Sequence, residues 1–124
     1  MSKECPFCHT SLDEYVIETS LTYAKRDLYP VSRGHTLIIP KRHIATFFEA
    51  TEQEREELIN ALETAKRSLQ KKFNPDGFNI GINEGAASGQ TVMHLHIHLI
   101  PRYKGDMEKP EGGVRGCIPE KQKY

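Results

Sequence analysis

Three histidines occupy every second position of one short segment, at His94, His96 and His98. A neutral imidazole can act as a nucleophile, a hydrogen-bond donor or a metal ligand near neutral pH. Side chains alternate between the faces of a strand, so a strand here projects the three rings to one side and the apolar residues between them into a core. A polar strand face that merely consists of histidine is the weaker explanation, because no Lys, Thr or Glu stands at these positions. The spacing therefore predicts a reacting centre or a metal site.

A Cys-x-x-Cys pair, Cys5 and Cys8, is a second set of residues with metal-binding chemistry. Two thiolates need two further ligands to close a tetrahedral zinc site, and His9, His43 and His94 are the candidates. Unmetallated thiols and a redox-active pair are the alternatives. Because three cysteines in a reducing compartment do not suggest a disulfide framework, structural zinc is the favoured interpretation.

Length and charge narrow the classes of protein that fit this chain. Its 124 residues suffice for one hydrophobic core, so we expect a single domain over residues 1–124, with 104–124 as a loop or tail. Lys plus Arg and Asp plus Glu number 17 each, which argues against a nucleic acid polymer as partner. No apolar run approaches the roughly 18 residues of a membrane span, and the first residues lack a signal-peptide pattern. We therefore expect no membrane partner and a cytoplasmic location.

The pattern of apolar residues predicts an α+β fold with one secure helix. A capping box of Thr51 with Glu54 opens this helix, and its apolar positions repeat at helical spacing through Phe73. Segments rich in β-branched and aromatic residues, or with alternating apolar positions, predict four strands. These are "YVIETSLTY" at 15–23, "HTLIIP" at 35–40, "FNIGIN" at 78–83 and "VMHLHIHLI" at 92–100.

The segment from His94 to Ile100 resembles the His-φ-His-φ-His-φ-φ signature of the histidine triad (HIT) family of nucleotide hydrolases and transferases, where φ is apolar. The stretch "GHTLIIPKRH" at 34–43 resembles the family's other signature strand, and "NEGAASGQTVMH" at 83–94 resembles its phosphate-binding loop. With "CPFC" at 5–8, the resemblance runs from about residue 5 to about residue 103. It implies a HIT-like fold, in which an antiparallel sheet with one long and one short helix extends across a homodimer.

This resemblance also implies a reaction mechanism. His96 is the nucleophile that attacks the α-phosphorus of a bound nucleotide and forms a covalent nucleotidyl-histidine intermediate. His98 and His35 donate hydrogen bonds to the charge that develops on the phosphate oxygens. Gln90 and Thr91 orient the bridging oxygen and the leaving group. No catalytic metal is required.

The remaining implied roles concern binding of the nucleotide and of zinc. Asp27 contacts the ribose hydroxyls and Leu28 lines the base pocket, while Asn83 faces the phosphates. Small residues ending at Gly89 let backbone N–H groups approach a phosphate closely. The family's zinc-binding members imply one ligand set, which here consists of Cys5, Cys8, His43 and His94.

The sequence after the triad bears on the substrate. The chain has no tryptophan, and "IPRYKGD" at 100–106 resembles the fragile-histidine-triad and dinucleoside polyphosphate hydrolase group. We therefore expect hydrolysis of dinucleoside polyphosphates, with hydrolysis of nucleoside phosphoramidates or nucleotidyl transfer to phosphate as the alternative. A non-catalytic nucleotide- or metal-binding module is the alternative outside the enzymes. Arg102, Lys104 and Arg115 are either binders of extra phosphates or solvated surface residues.

Overall fold

The structure is a computed structural model that describes residues 4–124. Its elements are β1 Tyr15–Glu18, β2 Thr22–Arg26, β3 Thr36–Pro40, α1 Glu52–Phe73, β4 Gly77–Gly81 and β5 Ile97–Arg102. The strands form one antiparallel sheet in the order β1-β2-β3-β5-β4, which confirms the α+β class. In the described residues, the other helical segments are 3₁₀ turns of three to five residues, so the expected short helix is not present there as an α-helix.

Helix α1 follows the predicted pattern closely. Thr51 caps its N-terminus in a reciprocal capping box with Glu54, and Asn74 ends it in the left-handed conformation. Leu58 and Leu69 on its inner face are completely buried, and they belong to one apolar cluster with Ile38 of β3 and residues of β5. Burial of this face holds the helix against one side of the sheet, leaving the other side for the site.

Buried Glu54 ties the start of α1 to the loop that follows β3. Its carboxylate accepts hydrogen bonds from Nε of Arg42 at 3.0 Å, from the Arg42 terminal nitrogen at 2.9 Å and from the backbone N–H of Thr51 at 2.8 Å. Arg42 is the first cause that lowers the pKa of Glu54 to about 2. These hydrogen bonds hold Arg42, the residue before His43, in a fixed position.

Replacing Glu54 by glutamine should lower the free energy of unfolding by about 1–3 kcal/mol near pH 7, because glutamine is neutral and offers one acceptor oxygen in place of two. A depressed carboxyl pKa contributes stability above the unfolded value, here 4.5, and loses it as pH falls toward about 2. The difference between the variant and the wild type in urea unfolding should therefore shrink between pH 5 and pH 3. Exposed Glu56→Gln, the matched control, should change stability by less than about 0.5 kcal/mol. A destabilisation by Glu54→Gln that does not depend on pH would contradict this account.

The first predicted strand is in fact a hairpin, β1 and β2, with its turn at residues 19–21. Glu57 of α1 accepts hydrogen bonds there from Thr19 Oγ1 at 2.6 Å, Ser20 Oγ at 2.8 Å and the N–H of Leu21 at 2.8 Å. A helix residue far along the chain thus stabilises the turn. The prediction of one continuous strand was wrong because local β-propensity carries no sign of this contact.

The strand that carries the triad begins later than predicted. β5 starts at Ile97, so His94 and His96 precede its first residue. The backbone N–H of Leu95 donates to the Ile44 carbonyl at 2.7 Å, which fixes this approach segment against the loop after β3. Leu95, Ile97 and Leu99 are buried, as the alternation predicts.

The segment beyond β5 is ordered by specific contacts. Tyr103 donates its hydroxyl hydrogen to the Arg33 carbonyl at 2.7 Å, and the Lys104 N–H donates to Asp76 at 2.8 Å. It continues through two 3₁₀ turns, Gly113–Cys117 and Pro119–Lys121. Within the described range, none of the helices has the length and apolarity to cross a membrane.

Candidate active site

His96 is held in one orientation by the backbone of the triad segment. Its Nδ1 lies 2.8 Å from the carbonyl oxygen of His94. A carbonyl oxygen only accepts, so Nδ1 carries the hydrogen, and in the neutral ring Nε2 keeps its lone pair. His96 lines a cavity of about 550 Å³. In this tautomer the nitrogen that carries the lone pair is Nε2, and a lone pair is what a nucleophile requires.

His35 fixes the tautomer of His98 through a chain of hydrogen bonds. The Val31 N–H donates to His35 Nδ1 at 3.0 Å, so the neutral His35 ring carries its hydrogen on Nε2. That nitrogen lies 3.0 Å from Nδ1 of His98 and donates to it. His98 therefore carries its own hydrogen on Nε2, the nitrogen that remains to bond a ligand.

Both members of this pair are uncharged near neutral pH. Burial is the main cause that lowers the pKa of His98 to about 4, and the neighbouring rings of His96 and His35 add to it. Burial also lowers the pKa of His35, while the Asp27 carboxylate, 3.4 Å from His35 Nε2, opposes that shift. His96 and His98, with ring centroids 5.1 Å apart, thus combine a free lone pair with a neutral N–H donor.

His35 and Gln90 were expected to contact the phosphate or the leaving group directly. In the structure, their polar atoms form hydrogen bonds within the protein. His35 is buried and both of its ring nitrogens are bonded, so it positions His98. Gln90 is also buried: its Oε1 accepts from the Gly85 N–H at 2.8 Å, and its Nε2 donates to the Ala45 carbonyl at 2.9 Å. Gln90 holds the 83–91 loop in shape, and in this geometry it presents no free donor.

The cavity wall combines polar and apolar groups. Asp27, Asn83, Gly89 and Thr91 line it near the histidines. Asp27 accepts the Tyr29 N–H at 2.8 Å, and Gly89 has a φ of +94°, which disfavours any side chain there. The apolar part comprises Pro6, Phe7, Leu28, Tyr29, Leu37 and Val92. A cavity of this size and mixture suits a small organic ligand with an anionic part.

Cys5, Cys8, His43 and His94 form a compact group whose potential ligand atoms all lie within 4.8 Å of one another. His94 donates from Nε2 to the Pro40 carbonyl at 2.8 Å, which leaves its Nδ1 lone pair directed at the cysteines. His43 Nδ1 lies 3.1 Å from His94 Nδ1 and 3.1 Å from Cys8 Sγ. A tetrahedral zinc centre separates its ligand atoms by about 3.3–3.8 Å. These residues therefore fit a four-coordinate metal ion.

The three triad histidines do not converge on a single ion. His94 belongs to the cysteine group, and His98 belongs to a second group with Asp27 and His35. His96 is in neither group, and its ring packs against Phe7, which also lines the cavity, with ring centroids 4.9 Å apart. The geometry therefore disfavours a cage of three histidines around one metal.

The three basic residues that could bind extra phosphates differ in their contacts and exposure. Arg102 is bound by both oxygens of Asp106, each at 2.8 Å, and by Asn79 at 2.7 Å. This fork lowers the pKa of Asp106 to about 2. Arg115 donates to the Gln122 carbonyl at 3.2 Å, and Lys104 is exposed. Arg102 is thus committed to an internal ion pair.

Comparison with known proteins identifies the family from most of the chain's length. Residues 10–105 match the family model described as HIT domain. The chain belongs to the HIT family. It is 36% identical over 106 residues to the bis(5'-nucleosyl)-tetraphosphatase (asymmetrical) of Schizosaccharomyces pombe, which covers 77% of this chain and 58% of that protein. It is 37% identical over 92 residues to an AP-4-A phosphorylase of Mycobacterium tuberculosis, which covers 73% of this chain and 47% of that protein.

Solved HIT structures share this fold. A HIT family protein from Bacillus anthracis superposes with a TM-score of 0.79 at 35% identity, over 86% of this chain and 78% of that one. A zinc-bound histidine triad family protein from Mycobacterium smegmatis superposes with a TM-score of 0.70 at 32% identity, over 77% of this chain and 69% of that one. The similarity confirms a HIT fold for this chain.

Proposed function

We propose that this HIT protein hydrolyses dinucleoside polyphosphates at the α-phosphate, through a covalent bond between the nucleotidyl group and His96. The observation that carries the proposal is the fixed pair of tautomers. His96 Nε2 offers a lone pair, and the neighbouring His98 Nε2 offers a hydrogen, at the wall of one cavity of about 550 Å³. A nucleophile beside a neutral donor is what attack on an anionic phosphate requires.

The reaction proceeds in two displacements. The His96 Nε2 lone pair attacks the α-phosphorus, a P–N bond forms, and the bond to the bridging oxygen breaks with its electron pair leaving on that oxygen. His98 donates to a non-bridging oxygen as negative charge develops there. Water then attacks the phosphorus, the P–N electrons return to Nε2, and the nucleoside monophosphate is released. The proton lost by the water passes to solvent.

The cavity wall supports an assignment for each part of the nucleotide. Asp27 is placed to accept hydrogen bonds from ribose hydroxyls, and Leu28 with Phe7 offers an apolar contact for the base. Asn83 and the backbone N–H groups around Gly89 contact the phosphates. Gln90 acts by shaping this loop.

Zinc at Cys5, Cys8, His43 and His94 has a structural role in this proposal. When bound, it cross-links the N-terminal segment to the loop after β3 and to the triad segment, and no step of the reaction passes through it. Thiolate ligands of this kind persist in a reducing compartment, which fits a cytoplasmic protein.

A homodimer completes the proposal. β4 is an edge strand of the sheet, and Ile80 on it is 47% exposed. Ile59 on α1 is 50% exposed, whereas Leu58, Ala61, Ala65 and Leu69 of the same helix are buried. A second copy that covers these side chains would protect both the edge and the apolar surface. A molecular mass near the 14.1 kDa of one chain, measured by small-angle scattering, would contradict this part.

The test is product analysis after incubation with diadenosine tetraphosphate, with and without a chelator. We expect AMP and ATP, formed at an unchanged initial rate after chelation as long as the protein stays folded. A parallel reaction with inorganic phosphate tests phosphorolysis, the activity named for the mycobacterial relative, which would give ADP in place of AMP. Loss of turnover on chelation, with the fold intact by circular dichroism, would overturn metal-independent hydrolysis.

A further inference from the structure

A second cavity, of about 330 Å³, adjoins the first on the same face of the sheet. His98 and Asn83 line both cavities, so the two meet at these residues. The second cavity lies over Ile100 of β5 and Asn79 of β4, and Val31 and Val114 border it. Its volume is at the lower end of the range for small-molecule sites, which is about 300 Å³.

The register of β4 with β5 explains why space exists beside His98. Gly81 is the direct partner of His98, and Asn79 is the direct partner of Ile100, so these residues share one face of the sheet. Gly81 has no side chain, and a Cβ built there meets no atom within 4 Å. The position opposite the donor histidine is therefore open.

The borders of the second cavity are apolar and exposed. Val31 is 71% exposed, and Val114, in the segment after β5, is 65% exposed. The 27–33 loop runs along both cavities: Leu28 and Tyr29 border the first, whereas Val31 borders the second. One loop thus presents apolar side chains to each side of the shared histidine.

The charges around the second cavity disfavour a free anion as its occupant. Arg102 is the basic residue nearest in sequence to Ile100, and its guanidinium is already bound to Asp106 and Asn79. Because Asn79 Oδ1 accepts from Arg102, its Nδ2 keeps hydrogens to offer to a ligand. Apolar borders together with the amides of Asn79 and Asn83 match a planar, weakly polar group such as a nucleobase.

We propose that the second cavity binds the nucleoside of the leaving half of the substrate, and this rests on the proposed hydrolysis of dinucleoside polyphosphates. The polyphosphate chain passes His98 and Asn83, one nucleoside occupies the larger cavity, and the other contacts Val31, Asn79 and Val114. The open position at Gly81 lets the chain pass. This arrangement selects substrates that carry a nucleoside at both ends.

The test is the Gly81→Leu variant, which fills the passage without backbone strain. Two substrates are compared: diadenosine tetraphosphate and adenosine 5′-phosphorimidazolide, whose small leaving group does not reach the second cavity. We expect kcat/KM for the dinucleotide to fall by about tenfold or more, with less than about a twofold change for the phosphorimidazolide, since only the former uses remote contacts. Gly77→Leu, on the same face of the same strand and also in open space, is the matched control and should affect neither substrate.

The outcomes separate this inference from the function on which it rests. Equal losses on both substrates, or no loss on either, would overturn the second subsite while leaving the hydrolase intact. A wild-type protein that consumes the phosphorimidazolide but no dinucleoside polyphosphate would overturn both. Melting temperature and competitive inhibition by AMP should match the wild type in Gly81→Leu, which excludes a general distortion of the first cavity.

Discussion

Replacing His96 by alanine should reduce release of AMP from diadenosine tetraphosphate by about four orders of magnitude or more, because the reaction loses its covalent route. The hydrogen bond to the His94 carbonyl disappears with the ring, but His96 is outside both metal-binding groups. Zinc content and melting temperature should therefore stay close to those of the wild type. The measurement is kcat by chromatographic separation of products.

A graded comparison distinguishes a nucleophile from a merely supporting ring. His98→Ala removes the proposed donor and should cost about a hundredfold, less than the loss at His96. Free imidazole should restore part of the turnover in His96→Ala, since it can enter the vacated space and attack the phosphorus. A His96→Ala variant that keeps more than a tenth of the wild-type rate would contradict the assignment.

Replacing Cys8 by alanine should remove zinc and lower the free energy of unfolding by roughly 3 kcal/mol or more, because metal binding contributes directly to folding. Cys8 Sγ lies 3.1 Å from His43 Nδ1 and 3.5 Å from His94 Nδ1, so its loss opens the ligand set. Phe7, between the two cysteines, packs on His96. Some catalysis should remain, but KM should rise because the part of the cavity wall that Phe7 forms becomes less ordered.

Metal analysis of the purified protein and thermal unfolding measure both effects of the Cys8 change. Cys117→Ala is the matched control, since Cys117 is an exposed free cysteine outside the metal-binding group. It should retain one zinc per chain and the wild-type melting temperature. Stoichiometric zinc in Cys8→Ala would show that the site is not the one described.

Local patterns were enough to predict the helix and the buried face of β5. The capping box and the apolar spacing of α1 are properties of neighbouring residues, and the alternation around Ile97 is as well. The resemblance to the HIT family then related distant motifs, and the structure brings Cys5, Cys8, His43 and His94 together as that resemblance implies.

Contacts between distant segments could not be predicted from the sequence patterns. The turn between β1 and β2 depends on Glu57, and the hydrogen bonds of Gln90 depend on a carbonyl at Ala45, so neither has a local signal. The direction of the bond between His35 and His98 depends on the Val31 N–H. The second cavity requires a glycine opposite His98, which only the strand register reveals.

The covalent bond to His96 is the central claim, and intact-mass spectrometry of a rapidly quenched reaction tests it most directly. A reaction with diadenosine tetraphosphate, stopped in alkali because a P–N bond to imidazole is labile in acid, should contain protein heavier by one adenylyl group. Peptide mapping should place that group on His96, and His96→Ala should give no adduct. Full turnover with no adduct at any quench time, or an adduct on another residue, would contradict the mechanism.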